Sequence, residues 1–286
     1  MTRSRQRLIS LLVLAAMVVL WQLISLIYTA EVFPGVPMMP GWEKLFTTTF
    51  LSMADYFQGG FGIAAVVDGA ERSYLAAALA IVQHSFDTLV RLYVGLFVGA
   101  LVGTLIGLAI SWSPWTRRLI DLPVQLLRTL PLLAMVPLFQ LWFGTDFSGK
   151  VIFVAYGVGV LFVAGTINAV KNVPQIYLDN ARTLGADKPT LYRTVILPAI
   201  FPELRATILL SLGTAWATVI GAEYLGSQSG LGYILVYAQQ FGYVDRMFFI
   251  GLLFIGFATI SYAIFNNISA RMLQWAPRPA AQAQVA

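Results

Sequence analysis

From Leu8 to Tyr28 the chain carries no charged residue, and further apolar runs follow at 75–112, 121–143, 151–170, 201–224 and 247–273. An α-helix rises 1.5 Å per residue, so about twenty apolar residues cross the roughly 30 Å hydrocarbon core of a bilayer. In lipid no water is at hand to bond an open backbone, which leaves the helix as the form such runs adopt. Of the 286 residues 58% are hydrophobic and 11% charged, against about 25% charged in a soluble domain. So little polar surface cannot cover an exterior in water. The expected fold is an all-α integral membrane protein with six transmembrane helices. With no cysteine in the chain, disulfides, thiolate catalysis and cysteine metal sites are excluded. His84, the single histidine, reads as an interfacial or capping residue rather than a zinc ligand, and no metal site is expected. The net charge of +5 falls on loops and not on a basic patch interleaved with aromatics, so no nucleic acid is expected.

Arg3, Arg5 and Arg7 precede the first run. That run is too long for the apolar core of a secretory signal, and no clean cleavage site follows it. Residues 1–30 therefore read as an amino-terminal transmembrane helix that starts inside. Six spans from that start leave eleven lysines and arginines on inner segments and four on outer ones, with three more in or beside spans. The asymmetry follows the positive-inside rule, with both termini cytoplasmic. Residues 31–74 form an extracytoplasmic segment: an extended proline-rich start, a helix lying at the interface over TTTFLSMADYF, and a glycine-rich loop whose purpose over 58–73 the sequence does not give. A connection of that length is expected to have a task of its own. Residues 75–275 are the core, and the proline/alanine/glutamine tail 276–286 is expected to be disordered.

Within the core, Asp87 and Arg91 stand four apart, close enough to pair on one helix face. Gly95, Gly99, Gly103 and Gly107 recur every four residues and give that helix a face without side chains, suited to close packing of two helices in lipid. Pore lining is the alternative. The third run carries Pro123, Pro131 and Pro137 with Gln125, Arg128, Thr129 and Gln140. Prolines free backbone carbonyls, and an intramembrane arginine needs a partner, a cavity or the headgroups. Arg128 either faces a polar path or lies shallow and reaches lipid headgroups. Thr214, Thr218 and Glu223 add polarity to the fifth run, and all these polar residues, with Pro131, are candidates for lining a path. Gly144 to Lys150 imitates the start of a phosphate-binding loop, but Val151 stands where a hydroxyl is needed for magnesium, so the segment reads as a turn.

Between the fourth and fifth runs lies the polar stretch 173–198, VPQIYLDNARTLGADKPTLYRTVILP. Pro174 suits a helix start, Gly185 a left-handed helix end, and Asp187 followed by Pro189 the cap of a second short helix. The result is a helix–turn–helix hook outside the apolar layer, with a plain connecting loop as the alternative. At these residues the chain resembles the inner-membrane permease subunits of bacterial ATP-binding-cassette importers, whose signature is E-A-A, three residues, G, nine residues, I-x-L-P. Asp179-Asn180-Ala181 fills the first slot, Gly185 the glycine and Val195-Ile196-Leu197-Pro198 the close. Asp and Asn depart from the usual head of the signature, while its spacing is kept. Glu223 followed by Gly230-Leu231-Gly232 also resembles these permeases, most of all those of nitrate, taurine and aliphatic-sulfonate importers.

The resemblance implies the fold of a type I importer permease, working as a homodimer with two cytoplasmic ATPase subunits and an extracytoplasmic substrate-binding protein. Asp179, Asn180, Ala181, Arg182, Leu184, Gly185, Ala186, Leu197 and Pro198 would then couple the pore to the ATPase. ATP and magnesium would be held by that partner, with no cofactor and no catalysis on this chain. The membrane would be the bacterial inner membrane, and the solute small and anionic. A stand-alone secondary transporter or channel is the alternative. It calls for paired or ring-forming charges within the spans, whereas Asp87, Asp121, Glu203 and Glu223 lie near span ends. A membrane enzyme would need a nucleophile–base pair or a metal cluster, for which the residues are lacking.

Overall fold

In the computed structural model, residues 3–274 are described apart from Phe61 and Leu225, so the tail expectation for 276–286 lies outside the described residues. In chain order the elements are α1 (Arg3–Ile27), β1 (Glu31–Phe33), β2 (Val36–Pro37), α2 (Trp42–Lys44), α3 (Phe50–Ser52), α4 (Tyr74–Trp112), α5 (Pro114–Thr129), α6 (Leu132–Phe143) and α7 (Phe147–Lys171). They continue with α8 (Gln175–Thr183), α9 (Lys188–Leu191), α10 (Leu197–Tyr224), α11 (Leu231–Gln240) and α12 (Val244–Met272). Among the described residues five helices are long and apolar enough to cross a membrane, and α5 with α6 supplies a sixth span bent by 106°. The third run is therefore two helices rather than one. The fifth begins earlier than Phe201, because α9, a π-helical turn over Tyr192–Ile196 and α10 follow one another without a break. Pro198 has no N–H to offer the preceding turn, and the Leu197 amide bonds back to Tyr192, five residues earlier.

The chain divides into two compact units, Met1–Thr88 with Gln228–Ile255, and Leu89–Ser227 with Gly256–Ala286. In the first, β1 and β2 form a small antiparallel hairpin. Gln22 on α1 accepts from the Trp42 amide at 3.0 Å, and the Trp42 indole donates to the Val18 carbonyl at 3.0 Å. The helical stretch 42–56 packs one face inside the unit, with Leu45, Thr49, Met53, Ala54 and Tyr56 buried, and leaves Phe46, Thr47 and Thr48 exposed. The Arg246 guanidinium holds it, bonding Asp55 at 2.9 Å and the Tyr56 hydroxyl at 3.2 Å and stacking over Tyr243. Arg72 grips the same Asp55 carboxylate at 2.6 and 2.9 Å, which ties in the 58–73 loop. Burial pushes the Tyr56 phenol up to about 12, so it stays a neutral donor and acceptor at physiological pH. His84 is buried rather than interfacial. Its Nδ1 accepts from the Gly230 amide at 2.9 Å, which leaves the proton on Nε2 for the Tyr56 carbonyl, also at 2.9 Å. With Thr88 accepting from the Leu231 amide at 2.8 Å, the two side chains cap the start of α11.

The second unit is built on α7. A Cβ added at Gly95, Gly99, Gly103 or Gly107 would meet Val154 at 2.6 Å, the Ala155 carbonyl at 2.5 Å, the Gly159 carbonyl at 2.4 Å and Thr166 at 2.6 Å respectively. Both series of residue numbers rise together, so this part of α4 runs parallel to α7. On the far side of α7, a Cβ at Gly157 would lie 2.7 Å from Thr218 and one at Gly165 2.3 Å from Thr207, a descending series that makes α10 antiparallel. Two parallel neighbours require the chain to recross the layer between them, and α5 with α6 is the only segment available. The bent pair is thus a broken span and not a loop dipping back to the side it came from. Val136 and Phe139 of α6 pack with Phe153 and Ala222 into a small core.

Gly103→Ala is expected to destabilise the protein by about 1–3 kcal/mol through overpacking, read as a lowered thermal midpoint in detergent. Gly213→Ala, with nothing within 4 Å of the new carbon, is the control expected to leave the midpoint unchanged.

Candidate functional site

Three features of the second unit lie along one line: the hook at one end, the break between α5 and α6 at mid-height, and a buried ion pair at the other end. In the hook, Gly185 takes φ +83° and ends α8 in a Schellman turn, with the Ala186 amide on the Ala181 carbonyl at 3.0 Å and the Gly185 amide on the Arg182 carbonyl at 2.9 Å. The Asp187 carboxylate caps α9 by accepting from the Thr190 amide at 3.0 Å. Hydrogen bonds from the Thr190 hydroxyl and amide hold that carboxyl below its ordinary value. Leu184 is 88% exposed, and Ile176 and Tyr177 also stand in the open, while Leu191 and Ile196 are buried beneath. The Tyr192 hydroxyl donates to the Ser111 carbonyl at 2.6 Å, and the Trp112 and Tyr192 rings lie 4.6 Å apart. The end of α4 thus clamps the root of the hook, whose tip projects uncovered. Asp179, Asn180 and Arg182 are exposed along α8, Asp179 holding Arg182 at 3.2 Å, and Leu197 and Pro198 open α10.

The break follows from Pro131. Its ring biases Leu130 toward the extended conformation, and Leu130 sits at φ −68°, ψ 128°. Ending α5 there frees carbonyls that lipid cannot satisfy. Two of them find side chains: Thr129 donates to the Leu126 carbonyl at 2.8 Å and the Tyr156 hydroxyl to the Leu127 carbonyl at 2.7 Å. Tyr156 lies nine residues along α7, about 14 Å from its start, which puts the break near the middle of that helix. Arg128 stands exposed beside the break with Gln125, Thr129 and Pro131.

The other candidate path residues sit differently. Thr218 is buried against Gly157, its hydroxyl turned back to the Thr214 and Ala215 carbonyls at 2.9 and 3.0 Å, and Thr214 is half-buried beside it. In this conformation both are packing residues between α7 and α10 and not an open lining. Gln140 reaches the Ala222 carbonyl at 3.5 Å. Glu223, fully buried, takes Arg91 Nη1 at 2.6 Å. Lys150, buried at the start of α7, donates to Ser227 at 2.8 Å. Sequence spacing could not show that Glu223, 132 residues away, is a partner of Arg91. Lys150 and Tyr156 were missed altogether; a lysine opening an apolar run was the available signal. Among the described residues no three side chains of the metal-binding kinds come together.

Comparison with known proteins bears on this geometry. Residues 95–274 match the family described as the binding-protein-dependent transport system inner membrane component. The chain is similar to the putative aliphatic sulfonates transport permease protein SsuC of Bacillus subtilis (strain 168), with 33% identity over 165 residues, 58% of this chain and 60% of that protein. It is also similar to the taurine transport system permease protein TauC of Escherichia coli (strain K12), with 28% identity over 56% of this chain and 58% of that one. The matches thus span about three fifths of these relatives. Among solved structures, a chain of the MetNI methionine ABC transporter in inward facing conformations superposes with a TM-score of 0.60 at 20% identity, covering 72% of this chain and all of that one. At that identity the likeness is one of fold.

Two outcomes test the site's energetics. Glu223→Gln removes the buried Arg91–Glu223 ion pair and is expected to cost about 3–5 kcal/mol, while Arg91→Met with Glu223→Met recovers most of it in an unfolding cycle. The Asp187 cap, lowered in pKa, stabilises α9 at all pH values above the ordinary carboxylate range, and that contribution is lost as pH falls through its depressed value. Protection of the Thr190 amide from hydrogen exchange, relative to its intrinsic rate at each pH, is expected to persist down to that range and to be absent at every pH in Asp187→Ala.

Proposed function

Since the chain belongs to the family of binding-protein-dependent transport system inner membrane components, we propose that it is the membrane-spanning permease subunit of an ATP-driven importer. It works as a homodimer, receives its solute from an extracytoplasmic binding protein, and is driven by two cytoplasmic ATPase subunits that carry the ATP and magnesium. This chain supplies a path and a gate, with no catalysis of its own.

The observation that carries the reading is the continuity of the hook with α10. The exposed apolar tip of α8, with Leu184, Ile176 and Tyr177, is a face a protein partner can cover. Behind it, α9, the π-helical turn and α10 form one helical path into the layer. A push on the tip therefore moves α10 as a lever, and α10 bears on α7 through Thr207, Thr214 and Thr218. The positive-inside asymmetry supports a cytoplasmic hook, where ATPase subunits work.

For the path we take the break between α5 and α6. Broken helices are tolerated in a membrane where they line a cavity, and Arg128, Gln125 and Thr129 stand open beside this one. A cation beside the break favours an anion. The relatives' names refer to aliphatic sulfonates and taurine, and a sulfonate is such an anion, so a small sulfonate is the solute class proposed.

Gly185→Leu tests the coupling. Nothing lies within 4 Å of the added carbon, so the cost is confined to the left-handed backbone, about 1–2 kcal/mol, and the chain still folds. In vesicles holding the full transporter, taurine or alkanesulfonate uptake is expected to fall at least about tenfold, the equivalent of 1.4 kcal/mol or more in coupling, while ATP hydrolysis continues. Unchanged uptake would rule the hook out as the coupling element.

A further inference from the structure

A groove of about 620 Å³ runs beside the root of the hook, walled by Leu108 and Trp112 of α4 and by Pro189, Tyr192, Arg193 and Leu197. Its floor is the Trp112–Tyr192 ring contact, fixed by the Tyr192 bond to the Ser111 carbonyl. Its walls are apolar and its mouth is basic. Arg193 is exposed on its rim, and the Lys188 ammonium stands 4.9 Å from the centroid of the Trp112 ring. Up α4, the exposed Leu101 and Leu105 continue the line of Leu108 and Trp112 at helical spacing, and on α10 the exposed Phe201 stands one turn beyond Leu197. The apolar track from Trp112 to Leu101 is about 16 Å long.

A track of this kind, apolar along its length with an aromatic belt and two cations at one end, matches a molecule with an acyl chain and an anionic head. We infer that the groove binds one anionic phospholipid of the cytoplasmic leaflet. Its phosphate is held by Lys188 and Arg193, its glycerol region rests at the Trp112 ring, and an acyl chain lies along Leu108, Leu105 and Leu101. A free inorganic anion would meet the same two cations but face apolar walls with nothing to donate. A tryptophan at the end of a span is the side chain expected at headgroup level, and basic residues just inside the membrane attract anionic lipid. The bound lipid bridges the end of α4 and α9. It therefore stiffens the joint through which the hook moves α10, and makes coupling sensitive to the anionic lipid content of the membrane. The leaflet assignment rests on the cytoplasmic placement of the hook proposed above.

Native mass spectrometry of the full chain, released from detergent and titrated with phosphatidylglycerol or phosphatidylcholine, tests the site. The wild type is expected to hold one phosphatidylglycerol in clear preference to phosphatidylcholine, and each charge removed by Lys188→Gln or Arg193→Gln to weaken that binding about fivefold. Equal retention of both lipids by the wild type, or an undiminished preference in the double variant, overturns the proposal. So does displacement of the lipid by millimolar inorganic phosphate, which would make the site one for a free anion, or by an added ATPase subunit, which would assign the groove to a protein. Thermal unfolding of the double variant at the wild-type midpoint keeps a loss of fold from imitating a loss of lipid. The leaflet is read separately. The chain has no cysteine, so Thr183→Cys is the one thiol an impermeant maleimide can reach, and labelling from the outer face would refute the cytoplasmic placement without altering the affinity measured in detergent.

Discussion

The close approach of α4 to α7 is the constraint on which the second unit depends. In lipid there is no hydrophobic gain from pressing one apolar helix on another, so association rests on dispersion and on how near two backbones can come. Four glycines leave the α4 side of the seam without side chains, and the Ala155 and Gly159 carbonyls with the Val154 and Thr166 side chains take up the space. Because the two helices run parallel, the chain has to return through the layer between them. The return path is the bent pair α5 and α6, and its bend sits at Leu130–Pro131, where the proline ring favours the extended conformation that Leu130 adopts.

A break within the span creates a demand that the rest of the unit meets. The last carbonyls of α5 lose their helical donors, and hydroxyls from Thr129 and Tyr156 replace two of them. Tyr156 reaches out from α7, so the same helix that packs on α4 also steadies the break. At one end of the unit Arg91 and Glu223 neutralise each other out of contact with water. At the other end the polar residues are gathered on the hook, where water can reach them. Arg128 stands beside the break as an exposed charge, which is why a path for an anion is proposed there.

The hook combines a loose outer surface with a fixed root. Leu184 and Ile176 project without cover, whereas Leu191 and Ile196 are buried and Tyr192 is bonded to the end of α4. A lever works only if its arm and its fulcrum are rigid and its tip is free to be gripped. The Schellman turn at Gly185 and the Asp187 cap supply the rigidity of the arm, and both are local devices that depend on neighbouring residues alone.

Locality also marks what the sequence by itself determined. Apolar run length set the number of crossings, since it reflects only the rise of a helix against the thickness of a bilayer. Pro174, Gly185, Asp187 and Pro189 were enough to place the ends of the hook helices, because caps and turns are bonded within a few residues. Three decisions belonged to the tertiary structure alone. The third run had to cross the layer as a broken span because α4 and α7 pack in parallel, a fact about contacts some sixty residues apart in sequence. Glu223 became a partner of Arg91, and the polar threonines of α10 became packing residues, because helix rotation is set by which neighbour arrives. Segment 42–56 came to be anchored by one face, because Arg246 and Asp245, which hold Asp55 and Thr49, come from a helix almost 200 residues later. Periodicity shows which residues share a face, but what that face meets is decided by packing between distant parts of the chain.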